Sequence, residues 1–137
     1  MNVNQCIFFQ LSAASRLGTQ FFSRQVDEWN LTPAQAMVVN FLGEEENIPF
    51  SRLGEKLHLT SATLTGIVDR LEKIGLVERR PNIEDRRSLL VGLTKEGKAI
   101  APDLHKRMED ANSAFLQNFS NKEEAMLRGL LDRLEEP

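Results

Sequence analysis

The side chains best suited to chemistry lie between Thr60 and Thr94, and they are hydroxyls and guanidiniums rather than a nucleophile with its base. Leu64, Ile67, Val68, Leu71 and Ile74 recur at helical spacing and define an apolar stripe. Ser61, Thr63, Thr65, Gly66 and Arg70 occupy the remaining faces of the same predicted helix. Short hydroxyls of this kind hydrogen-bond phosphates or base edges, and a glycine among them permits close approach. Further on, Arg79, Arg80, Arg86 and Arg87 gather around Asp85, with strand character at 76–80 and 88–93, so 81–87 is expected to form a hairpin tip. A cationic projection following a helix with a short, hydrogen-bonding free face suits a duplex nucleic acid. The bland alternatives are a solvated helix face for the hydroxyls and, for Asp85 with Arg87, a solvated ion pair worth less than about 1 kcal/mol.

The elements that must position these groups follow from capping and periodicity. Residues 51–57 read as a short helix carrying Leu53 and Leu57, and so tight a turn before Thr60 reads as helix-turn-helix. Thr60 is the expected cap, which would present the helix N-terminus to a phosphate, and Arg70, two turns on, is expected to grip backbone. His58 falls where a left-handed turn residue is needed, and Gly75 can supply the left-handed residue that ends the second helix. Upstream, residues 4–29 form a helical stretch with a wide apolar stripe from Ile7 to Val26. Thr32, Pro33 and Gln35 make a capping box for a helix running to Gly43, followed by an acidic turn at 44–47 and a short strand at 48–50. Downstream, Thr94 caps a long helix that Pro102 is expected to kink or restart near Ile100. Ser120 and Glu123 make a second capping box before Met126, Leu127, Leu130, Leu131 and Leu134. The predicted fold is mainly α with a small β-hairpin wing: one domain over 1–137, with the winged helix-turn-helix at 30–100. Helical segments at 4–29 and 101–135 carry apolar stripes with nothing in one chain to cover them, so a two-fold dimer is expected.

Composition narrows the function classes. The 137 residues suit a single domain with a sizeable core, and no apolar run approaches membrane-spanning length. Residues 1–10 lack the cationic region of a leader, so a cytoplasmic location is expected. One cysteine and two histidines leave no zinc set and no internal disulfide, and no Gly-rich phosphate loop is present, so neither an enzyme nor a cofactor is expected. The net charge of -3 opposes a nucleic-acid partner only until it is resolved along the chain. Residues 51–100 hold ten of the 17 basic and seven of the 20 acidic residues, so the centre is locally basic within an acidic frame.

The stretch LTSATLTGIVDRLEKIGLVERR is similar to the recognition helix and following strand of the MarR family of winged helix-turn-helix regulators. DRRSLLVGLT resembles that family's wing pattern, with Asp85, Arg87, Leu93 and Thr94 in the matching positions. The likeness covers essentially the whole chain. It implies a homodimer joined through the first and last helices, binding palindromic operator DNA and released by a small phenolic or other lipophilic effector. Arg87 would then enter a minor groove, with Asp85 fixing its guanidinium, and narrow A·T-rich flanks would be favoured through shape. Phe8, Phe9, Phe21, Phe22 and Trp29 admit two readings, an effector pocket or plain core, of which core is the more frequent. One branch of the family senses hydroperoxides through a cysteine eight residues before an arginine, with tyrosines around it. Counting back from Arg16 reaches Phe8, not Cys6, and the chain has no tyrosine, so Cys6 is expected to be an ordinary apolar helix residue. A protein-interaction module or antirepressor on the same fold is the competing class, and steeply salt-dependent duplex binding separates the two.

Overall fold

A computed structural model describes residues 1–136. Its elements are α1 (Ile7–Val26), α2 (Pro33–Glu44), β1 (Ile48–Pro49), α3 (Phe50–Leu57), α4 (Ser61–Lys73), β2 (Val77–Pro81), β3 (Leu89–Leu93), α5 (Lys95–Phe115) and α6 (Asn121–Asp132). The mainly helical chain with a small wing is therefore as expected. The strands form an antiparallel sheet in the order β1-β3-β2, with Val77 opposite Leu93 and Pro81 opposite Leu89. Each strand of the hairpin starts one residue later than the composition suggested, which takes Pro81 into β2 and leaves the tip at 82–88.

Local chemistry accounts for the boundaries. Thr32 accepts from the Gln35 N–H at 3.2 Å while the Gln35 side chain accepts from the Thr32 N–H at 3.0 Å, with Pro33 at the first helical position. His58 ends α3 in the left-handed region at φ 54° and ψ 40°, the conformation its place in the turn required. Gly75 takes φ +84° after α4, and the Thr94 hydroxyl donates to its carbonyl at 2.6 Å. The same hydroxyl accepts from the Gly97 N–H at 3.0 Å, so one side chain both caps α5 and ties it to the end of α4. Gly97 has to be glycine, because a Cβ there would run into the Leu76 carbonyl.

The core is contributed by the winged portion, Val26 at the end of α1 and the first half of α5. Val38, Val39 and Leu42 of α2, Leu53 of α3, Leu64, Val68 and Leu71 of α4, Val77 and Val91 of the sheet and Leu104 of α5 are sealed from solvent. Two details differ from expectation. Of the two outcomes expected at Pro102, a kink or a restart near Ile100, the restart does not occur: α5 runs on through the proline, with Ala101 and Leu104 buried beside it. Ile74 is 53% exposed, because it is the C-cap of α4 and the chain turns away one residue later.

Candidate nucleic-acid interface

α4 buries Leu64, Val68 and Leu71 and turns Ser61, Thr63, Thr65, Gly66 and Arg70 to solvent. Thr60 caps it: its hydroxyl oxygen accepts from the Thr63 N–H at 3.2 Å and donates to the Thr63 hydroxyl at 3.0 Å. The Thr65 hydroxyl donates to the Ser61 carbonyl at 2.8 Å, which leaves its oxygen free to accept. A Cβ on Gly66 would meet nothing within 4 Å, so the fold makes no demand for glycine at that exposed position. Mid-helix glycine costs roughly 0.5–1 kcal/mol relative to alanine, and the empty space beside it faces outward.

The wing tip is built by side chains that hydrogen-bond its own backbone. Asn82 accepts from the Glu84 N–H at 3.1 Å and the Asp85 N–H at 3.3 Å, while its amide donates to the Ser88 hydroxyl at 3.0 Å. Asp85 accepts from the Arg87 N–H at 3.0 Å, and its carboxylate lies 3.7 Å from the Arg87 guanidinium, too far for a hydrogen bond. Its direct hold is therefore on the arginine's backbone. The Arg87 side chain is 96% exposed, and Arg86 is exposed with no ion pair among the described residues. Asn82 was missed in the sequence, although an Asn directly after a proline is a turn signal.

The four wing arginines divide into two pairs. Arg79 is committed to Asp69, at 2.8 Å, and to Glu72, both on α4, and is half-buried between them. Arg80 donates to Glu78 at 2.8 Å, to the Leu93 carbonyl at 3.0 Å and to Asn47. Arg79 thus fastens β2 to α4, and Arg80 ties β2 to β3 and to Asn47, so neither guanidinium is left unpaired as its type and spacing suggested. Arg86, like Arg70 on α4, is exposed and without an ion pair among the described residues, and Arg87 has only its loose 3.7 Å pairing with Asp85. The helix and the wing meet across a concavity of about 410 Å³ lined by Ser51, Thr65, Arg79, Arg87, Ser88 and Leu89. A hydroxyl of α4 and the exposed arginine of the wing thus face one surface groove.

A family model described as MarR family matches residues 31–89, the stretch from α2 to the start of β3. The homoprotocatechuate degradative operon repressor of Escherichia coli is 32% identical over 122 residues, covering 89% of this chain and 82% of that protein. The organic hydroperoxide resistance transcriptional regulator of Bacillus subtilis is 36% identical over 97 residues, covering 71% of this chain and 66% of that one. The chain belongs to the MarR family. In a solved structure, a MarR mutant from Escherichia coli complexed with operator DNA superposes with a TM-score of 0.83 at 28% identity, covering 90% of this chain and 89% of that one. The α3–α4 pair, the sheet and the tip at 82–88 are accordingly the winged helix of a MarR-family transcriptional regulator.

The aromatic set separates. Phe21 and Phe22 line a cleft of about 250 Å³ between α1, the start of α2 and α5, together with Met37, Met108 and Phe115. The Phe21 and Phe115 rings lie 5.2 Å apart, tilted by 48°. Phe8 and Phe9 are on the exposed first turn of α1, 77% and 47% accessible, and take no part in this cleft. Trp29 is engaged elsewhere: the Arg107 guanidinium stacks 5.0 Å from its ring while donating to the Gln25 carbonyl and to Glu28, each at 2.8 Å. Cys6 is not inside a helix, as its apolar neighbours suggested, but is the half-buried N-cap residue of α1, following a 3-10 turn at Val3–Gln5. Among the described residues no helix is long and apolar enough to cross a membrane, and no three His, Cys, Asp or Glu gather as a metal set.

Proposed function

We propose that this MarR-family regulator is a homodimeric repressor that reads an inverted-repeat operator and is released by a small lipophilic effector. The observation that carries the reading is the shared groove of Thr65 and Arg87, with Arg70, on the same helix as Thr65, and Arg86, next to Arg87, both exposed and unpaired among the described residues. α4 enters the major groove with Thr60 and its helix N-terminus on a phosphate, Ser61, Thr63 and Thr65 on phosphates or base edges, and Gly66 allowing the helix to lie close. Arg70 grips backbone. The wing follows the adjacent minor groove, where Arg87 reads shape, Arg86 adds a phosphate contact, and Asp85 holds the backbone from which Arg87 projects. Arg79 is assigned to holding β2 against α4 rather than to DNA.

The dimer is supported by apolar surface. Ile7, Phe8, Phe9, Leu11 and Leu17 of α1 and Met126, Leu130, Leu131 and Leu134 at the C-terminal end are each at least 37% exposed, and α6 buries no residue at all. A two-fold interface of the segments 4–29 and 101–135 covers both sets. α5 crosses from the winged core into that interface, so a ligand wedged between Phe21, Phe22 and Phe115 would shift one lobe relative to the other. The test is a titration of duplex pools with the full-length protein over a salt series, with sedimentation in parallel. A dimer whose selected sites are inverted repeats with half-sites about 10 base pairs apart, bound with a steep salt slope, is expected. A stable monomer at micromolar concentration, or binding indifferent to salt, overturns the reading in favour of a protein-interaction module.

A further inference from the structure

Resting on the DNA-binding reading above, we propose that the wing carries an apolar contact beside its arginines, with Ile83 seated against the sugar faces of the minor groove. Ile83 is 93% exposed, in the bend that opens the tip of the hairpin. Nothing within the chain selects it. Turn positions favour Asn, Asp, Gly, Ser and Pro, and a β-branched residue brings no advantage there. The tip is shaped by the side chains of Asn82 and Asp85 through bonds to backbone N–H groups, so the Ile83 side chain does no structural work in the turn. Ile83 is also not isolated. With Pro81 and Leu89, 47% exposed, it borders a concavity of about 320 Å³ whose remaining lining includes Arg86.

The charge at the tip gives the apolar surface its meaning. Arg86 and Arg87 are offset by Glu84 and Asp85, so the formal charge of 82–88 is zero and attraction to phosphate alone gives the wing little reason to enter a groove. Cationic heads beside exposed aliphatic carbon match a minor groove, whose walls are phosphates outside and deoxyribose carbon within. Burial against sugar is also sensitive to groove width, so this contact reads shape without a hydrogen bond to any base.

The experiment uses duplexes selected from a random pool by the parent protein and compares the parent with Ile83→Ala, Ile83→Leu and Arg87→Ala over a salt series. Ile83→Ala is expected to weaken binding about tenfold with the parent's salt slope, since it removes buried carbon and no charge. Ile83→Leu retains most of the affinity. Arg87→Ala lowers the slope itself, by about one for each phosphate that is no longer neutralised. Equal affinity of Ile83→Ala and parent at every salt concentration, with parent binding still steep in salt, would overturn the proposal and leave the DNA-binding reading standing. Failure of the pool to yield any bound duplex would remove both. A change in sedimentation of Ile83→Ala would overturn it in another way, by showing that the patch meets a second copy of the chain. An unchanged melting temperature is expected for every Ile83 variant, because the side chain is free in the unbound protein.

Discussion

α4 and α6 are helices of 13 and 12 residues that begin in the same way and end in opposite circumstances. Each is capped by a hydroxyl accepting from a backbone N–H three residues on, Thr60 from Thr63 and Ser120 from Glu123, at 3.2 Å in both cases. α4 then seals Leu64, Val68 and Leu71 from water, whereas Leu130 and Leu131 of α6 are 52% and 51% exposed. Caps decide where a helix starts, and tertiary contact decides what its apolar face is for. The apolar face of α4 is used inside the lobe, which leaves its polar side for the proposed DNA contact; the face of α6 is left over for another surface.

The largest effect expected is at Leu71. Leu71→Ala removes a fully buried side chain and should cost about 2–5 kcal/mol in urea unfolding. Leu131→Ala should stay within about 0.5 kcal/mol for the isolated chain, and any further destabilisation should depend on protein concentration. Equal, concentration-independent effects at the two sites would erase the contrast. A harsher change sharpens it: Leu130→Glu combined with Leu131→Glu should dissociate the proposed dimer by sedimentation while far-UV circular dichroism of the lobe persists. A dimer that survives two buried carboxylates would place the interface elsewhere.

The sequence was most legible where a local rule and the tertiary structure agreed. Thr32, Pro33 and Gln35 make a box that no neighbour disturbs, and His58 and Gly75 take the left-handed conformations their places in the turns implied. The misreadings have one physical origin, that side-chain type says what a residue can do and not what else is within reach. Arg79 looked like Arg87 until Asp69 and Glu72, ten and seven residues earlier, arrived beside it from α4. Pro102 left a kink or a restart open, and the packing of α5 removes the restart by outweighing one missing hydrogen bond. Five aromatics looked like one set, but helical spacing carried Phe8 and Phe9 away along α1, and Arg107, some eighty residues later, took Trp29.

The same division between committed and free groups applies to the wing arginines. Arg87→Ala should weaken operator binding by roughly 1–3 kcal/mol and leave the melting temperature alone, since its side chain touches little of the protein. Arg79→Ala should do the reverse, lowering thermal stability by leaving Asp69 and Glu72 facing each other, with the salt slope of DNA binding unchanged. A fall in the salt slope on Arg79→Ala would return that residue to the DNA-contacting set.

The smallest effect separates the two caps themselves. Glu123 closes its box with a carboxylate that accepts the Ser120 N–H at 3.0 Å, and that backbone bond, followed by the one to the Ser120 side chain, holds its carboxyl below the ordinary value of 4.5. A group whose folded pKa is depressed contributes while it is ionised, so the contribution is present above the unfolded value and is lost as pH falls through the folded one. Glu123 is fully exposed, so what is lost is the order of the first turn of α6 rather than the fold. The cap of α4 pairs Thr60 with Thr63 and contains no carboxylate. In an NMR titration from neutral pH downward, the Ser120 amide resonance should therefore move with the Glu123 carboxyl, below the range of a free glutamate. The Thr63 amide should stay still over the same range. Glu123→Gln keeps an acceptor without the titration and should flatten the Ser120 curve; a Ser120 amide that still moved in that variant would mean that some other group, and not the capping box, sets the acid limit of α6.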